Sequence, residues 1–146
     1  VNAAVRLKYV TLITHGGKRY RGELWAHAAG ADGVTLVNRL PIEEYLRGVV
    51  PLELNLFAPS DAAAQQAQAV AARSYTYSRL AEFQPRAAAI RQAARPFDVR
   101  ATVSDQVYGG ADAEHPASDR AIRATAGLVL RYAGAVVSAP YHSTCG

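Results

Sequence analysis

The stretch "APSDAAAQQAQAVAARSYTYSRLAEF", residues 58–83, constrains the fold more than any other part of the chain. Alanine and glutamine are strong helix formers, no glycine or proline interrupts the run after Pro59, and Ser60 or Asp61 stands where a side chain can cap the first turn. The spacing predicts one long helix with Ala67, Val70, Ala71, Ser74, Tyr77, Ser78 and Ala81 on a single face. Because those side chains are small, whatever covers that face must pack very close to it.

The flanking segments have a different character. Apolar and polar residues roughly alternate from Val5 to Ile13, His15-Gly16-Gly17-Lys18 reads as a turn, and Tyr20 to His27 and Val34 to Val37 read as further extended runs. "LPIEEYLRG" has Pro41 at a first helical position, Glu43 and Glu44 in the first turn and Gly48 after the last, the asymmetry of a short helix. "QPRAAAIRQAARP" is a weaker helix or a loop, and "FDVRATVSDQVYGGADAEHP" reads as an extended segment, a turn and a loop. Ser118 to Gly127 reads as a short helix, and "LVLRYAGAVVSAPYH" as a hairpin turning at Ala133-Gly134. Strands first, helices in the middle and a hairpin at the end, without regular alternation, predict an α+β fold.

At 146 residues, half of them apolar, the chain suits one domain, residues 1–146. It contains no methionine, so the expectation is a segment of a longer protein, with any export signal upstream of Val1. No apolar run reaches the roughly 18 residues of a membrane helix. A net charge of +4 and a pI near 9.5 suit an anionic partner, including an acidic polymer of the cell wall. The arginines are dispersed and not interleaved with stacking aromatics, so nucleic acid is not the expected partner.

Glu53, in "VVPLEL", is the residue that asks for chemistry. A carboxylate among Val50, Leu52 and Leu54 must find a partner, turn toward water, or sit protonated, and the last is how a general acid is made. A lone Glu in a loop is otherwise a surface or capping residue. Arg73, inside the long helix, can hold a carboxylate bidentately, from Glu53 or from an acidic sugar; the plainer alternative lays its stem along the helix with the head in solvent. His142 and Cys145 in "YHSTCG" could supply two metal ligands or a thiol and its base, but no second Cys or His/Asp cluster completes a site. His15, His27 and His115 read as surface residues, and neither Gly-Gly pair leads into a Lys-Ser/Thr helix start that would cradle phosphate.

"LPIEEYLRGVVPLEL", "QAQAVAARSYTYS", "DQVYGG" and "AIRATAGLVLRYAGAVVSAPYHSTCG", in this order, together resemble the core of the SpoIID/LytB family, the stage II sporulation protein D group, over about residues 24–146. The resemblance implies an extracytoplasmic protein acting on peptidoglycan glycan strands, as a lytic transglycosylase cutting between MurNAc and GlcNAc to leave 1,6-anhydro-MurNAc. The alternative it implies is a non-catalytic wall-binding module or an enhancer of a cell-wall amidase. Carried over, the Glu of the family's P-x-E motif falls on Glu53 as the catalytic acid. The Arg of its A-V-A-A-R motif falls on Arg73 and the aromatic before the final turn on Tyr141, both as substrate-site residues. Glu44 matches a recurring carboxylate of the LP-x-E-x-Y segment. Where some relatives carry Cys and His thought to hold zinc, this chain has Arg100, Ser104 and Asp105, so neither zinc nor any other cofactor is expected. The family pattern continues past Gly146, which implies that part of the domain lies beyond.

Overall fold

A computed structural model describes residues 4–8, 12–29, 33–80 and 96–141. The fold is α+β, with antiparallel strands first, a long central helix, and a small hairpin last. Strands β1 (Ala4–Lys8), β4 (Glu23–Ala28) and β5 (Val34–Arg39) form a three-stranded antiparallel sheet in the order β1-β4-β5. Between β1 and β4 the chain makes the hairpin β2 (Ile13–His15) and β3 (Lys18–Tyr20), which turns at Gly16-Gly17 as expected. The register sets Trp25 opposite Arg6 and Val37, and the Arg6 and Arg39 guanidiniums lie 5.6 and 5.7 Å from its ring centroid.

Helix α1 (Ile42–Arg47) follows Pro41 directly and buries Tyr45 and Leu46. The next residues were expected to be a loop. They form a single helical turn instead, α2 (Val50–Glu53), because Val49 and Val50 are drawn wholly into the core and Pro51 enters at its first turn. Each of these buried aliphatic side chains contributes about 1.5–3 kcal/mol, which holds the turn despite its shortness.

The long helix is α3 (Ala62–Arg79), entered through a 3-10 turn at Pro59–Asp61. Asp61 does not cap it through its side chain; Oδ2 accepts from the Ala58 N–H instead, at 2.9 Å. The buried side differs from the expected face. Gln65, Ala69, Ala72 and Thr76 form the central stripe, with Arg73, Ser74, Tyr75 and Ser78 beside it, while Ala67 is exposed and Ala81 lies outside the described residues. The periodicity misled because it weighed only small and apolar residues, whereas Gln65, Arg73 and Thr76 are buried through hydrogen bonds made elsewhere in the chain.

Helix α4 (Pro116–Ala124) packs across α3 and α1, and the hairpin β6 (Arg131–Tyr132) and β7 (Ala135–Val136) turns at Ala133-Gly134, both at positive φ. The core is Tyr45, Leu46, Val49, Val50, Ala69, Ala72 and Ile122, where α1, α2, α3 and α4 meet. Residues 84–95, His142 and Cys145 lie outside the described residues. No described helix is long and apolar enough to cross a membrane.

Candidate functional site

Glu53 sits at the end of α2, where the chain leaves the helix in extended conformation at Leu54. Its exit is pinned from α3, since buried Gln65 donates through Nε2 to the carbonyls of Leu54, at 3.1 Å, and Leu56. The half-buried carboxylate faces the loop 106–109, and Oε1 accepts from the Val107 N–H at 2.7 Å. Oε2 has no hydrogen-bond partner among the described residues. Of the three fates open to Glu53, it has thus taken a partner for one oxygen, the other having none among the described residues.

The loop is held from both ends. Gly109 N–H donates to the Gly48 carbonyl at 3.0 Å. Gly48 carries no side chain because a Cβ there would meet Tyr108 Cε2 at 2.5 Å and the Gly110 carbonyl at 2.8 Å. Tyr108 stacks obliquely on Tyr45, ring centroids 5.1 Å apart, and its hydroxyl donates to Asn38 Oδ1 at 2.6 Å, tying the loop to β5. Burial pushes the Tyr45 and Tyr108 phenols well above their ordinary value, so both keep their protons.

Gln106, wholly buried, is the hub of the loop. Oε1 accepts from Tyr45 OH at 3.2 Å and Thr76 Oγ1 at 2.8 Å, while Nε2 donates to the Ala72 carbonyl at 3.2 Å and to Tyr141 OH at 2.9 Å. Beside it, Asp105 accepts from Tyr75 OH at 2.8 Å and Arg100 N–H at 2.9 Å, and pairs with Arg79 at 3.3 Å.

Arg73 is where the structure departs most from the sequence reading. It does not pair with Glu53, and its head is not in solvent. Its guanidinium is fully buried and forks onto Glu43, Nε to Oε1 and Nη2 to Oε2, both at 2.8 Å. The remaining N–H groups reach the carbonyls of Leu128 (3.1 Å), Ile122 (3.3 Å) and Ala69 (3.4 Å) and Thr125 Oγ1 (3.5 Å). All five donors are engaged inside the protein, which leaves none for a lactyl carboxylate. The physical reason is angular. Position 73 is turned about 100° around α3 from Ala72, away from the side that carries the Gln106 contacts and toward the first turn of α1 and the end of α4.

Glu44, one residue on from the partner Arg73 has chosen, points into a different network. Its Oε2 lies 3.1 Å from Arg47 and 3.4 Å from Arg21. Arg47 forks onto Asp119 at 3.0 Å, and Arg21 and Arg47 share Glu114 at 2.5 and 2.7 Å, so the network joins β4's approach, α1 and α4. His115 caps α4 by accepting the Ala117 N–H at Nδ1, 3.2 Å, and stacks on Phe57 at 3.8 Å, a placed role where a free surface residue was expected.

Glu53, Gln106 and Tyr141 therefore belong to one neighbourhood, while Arg73 and Glu44 hold the helices behind it. Sequence reasoning missed Gln106 and Glu43; the motif "DQVYGG" holds the signal for the first, a polar residue next to a constrained Tyr-Gly-Gly. Among the described residues, no group of three or more His, Cys, Asp or Glu side chains is placed to hold a metal ion. A cavity of about 830 Å³ between β4–β5 and residues 96–102 reaches Tyr45 and Tyr108 without including Glu53.

A family model described as Stage II sporulation protein, SpoIID, matches residues 30–132, which contain Glu44, Glu53, Arg73 and the whole 106–109 loop. The chain belongs to the SpoIID family. An uncharacterized protein of Brachyspira hyodysenteriae is 33% identical over 116 residues, 79% of this chain. The matched part is 28% of that relative, so the chain spans little more than a quarter of its length. No solved structure matches the chain. The SpoIID match ties this domain to a cell-wall-related function and leaves Tyr141 just beyond the matched residues.

Proposed function

We propose that this SpoIID domain cleaves the glycan strand of peptidoglycan as a lytic transglycosylase, with Glu53 acting first as acid and then as base, at an extracytoplasmic site where that polymer lies. One observation carries the reading: Glu53 is fixed through Oε1 by the Val107 N–H, while Oε2 accepts no hydrogen bond from the described residues. An N–H donor meets only an unprotonated oxygen, so any proton on the carboxyl resides on Oε2, the oxygen available to a substrate. Oε2–H protonates the oxygen joining MurNAc C1 to GlcNAc, and the C1–O bond breaks. The carboxylate then takes the proton of the MurNAc 6-hydroxyl as its oxygen closes onto C1, giving the 1,6-anhydro ring and restoring the acid. No water is consumed and one carboxyl serves both steps, unlike the paired acids of ordinary glycosidases. Asp105, which borders the same aromatic cluster, is tied to Tyr75, Arg79 and the Arg100 backbone. In this reading Tyr141 touches the sugar, and Arg73 and Glu44 act from behind by holding α1 against α3 and α4.

Glu53→Gln keeps the shape and the Val107 contact but cannot exchange a proton. The expected outcome is loss of anhydro-MurNAc release, followed by mass spectrometry of glycan strands, by at least ~100-fold and up to ~10,000-fold. A folded variant with wild-type turnover refutes the assignment. A wild-type chain that binds strands without releasing anhydro ends points instead to a wall-binding or amidase-activating module.

A further inference from the structure

We infer that Gln106 is a positioning residue that fixes the direction of the Tyr141 hydroxyl, leaving its O–H to donate to substrate in the site that holds Glu53. The inference rests on the glycan-cleavage reading and assigns a further residue to that site.

The orientation of the Gln106 amide follows from its four partners. The Ala72 carbonyl is an acceptor only, so the group 3.2 Å from it must be the NH2 end. The second proton of that NH2 then points at Tyr141 OH, 2.9 Å away, and the phenol oxygen must accept there. The other end, Oε1, takes the proton of Tyr45 OH and meets Thr76 Oγ1, which fills the amide completely and leaves it no second orientation. With its oxygen facing that donor, Tyr141 has its own proton uncommitted among the described residues. Burial first, and to a smaller degree the charge on Glu53, pushes the phenol above its ordinary value, so it remains a donor throughout the working pH range. One buried amide thus sets the direction of a donor in the neighbourhood where the Val107 N–H holds Glu53.

Gln106→Glu tests the direction of the bond with the shape kept. If the new carboxyl is protonated, it must give its only proton to Ala72 O, and if ionised it has none, so in either state it accepts from Tyr141 and captures the free donor. We expect Gln106→Glu and Tyr141→Phe each to lower kcat about 100-fold, the scale of one positioned donor, with KM changed less than about 3-fold. The double variant should be no worse than either single one. Gln106→Met, which removes the contact without reversing it, should cost only about 10-fold, because the Tyr141 proton stays available. A merely structural role predicts the opposite order, since the methionine takes the acceptor from the buried Tyr45 OH whereas the carboxyl keeps it. Losses that multiply in the double variant, or a folded Gln106→Glu with wild-type kcat, overturn the inference. If Gln106→Glu does not fold, Gln106→Met on the Tyr141→Phe background carries the test, and any further loss overturns it. If the wild-type chain releases no anhydro ends, glycan cleavage itself has failed. The same cycle is then read by calorimetry with a GlcNAc–MurNAc tetrasaccharide, where additive losses of affinity overturn the positioning role separately.

Discussion

Removing the charge of Glu43 with Glu43→Gln separates a structural Arg73 from a substrate-binding one. The Arg73 side chain is 0% exposed and that of Glu43 is 37% exposed, so the substitution strands a buried cation whose anion lay at the edge of water. The two 2.8 Å fork bonds lose their charge, and Gln can accept at only one of its two end atoms. The Glu43 contact with Gly127 N–H at 3.3 Å weakens with them. Breaking a buried pair costs about 3–5 kcal/mol. Water on the Glu43 side screens part of this, which places the expectation at about 2–4 kcal/mol. For a domain of this size that is a fall in Tm of roughly 5–15 °C. Urea denaturation followed by circular dichroism gives the free energy directly, with an unchanged m-value confirming that the same transition is compared. Adding Arg73→Met to Glu43→Gln removes the stranded charge, so the double variant should be no less stable than the single one. Arg73→Lys should be harmful as well, because an ammonium cannot serve Glu43 bidentately while also meeting three carbonyls. A Glu43→Gln chain within about 0.5 kcal/mol of wild type, or additive losses in the double variant, would refute the reasoning. An Arg73 that bound substrate would instead leave stability alone and raise KM.

Gly48→Ala should cost about 1–3 kcal/mol, because the new methyl meets Tyr108 Cε2 and the Gly110 carbonyl at 2.5 and 2.8 Å. It should also slow anhydro-sugar release by moving Val107 N–H from Glu53, so unchanged near-UV dichroism and unchanged turnover together would count against this packing. Asp112 is held below its ordinary value of 3.8 by the Arg19 backbone N–H first and the Arg19 side chain second. A depressed carboxyl contributes stability above its unfolded value and loses it as pH falls through the folded one. Asp112→Asn should therefore flatten the acid limb of stability below about pH 4, read as urea midpoints, and an unaltered limb would show that this tether does not act.

Some of this protein was legible in one dimension because the causes are local. Gly16-Gly17 and Ala133-Gly134 turn hairpins because backbone of that conformation is open to few residues, and Pro41 opens α1 through its own fixed φ. Helix formers over 62–79 secure α3 whatever packs on it. Glu53 was visible as a charge in an apolar setting, and its neighbours in the motif pointed to the family. Which faces are buried was a tertiary decision. Gln65, Arg73, Thr76 and Gln106 are polar, yet they are buried because partners 9 to 61 residues away in the chain complete their hydrogen bonds. Arg73 could reach only the carboxylate that the crossing of α1 over α3 set in front of it, and that is Glu43, with Glu44 turned away one helical step further on. Hydrophobic period and turn chemistry act within a few residues, so sequence carries them directly. The choice of a partner for a buried polar group depends on how whole elements cross, and only the assembled core makes that choice.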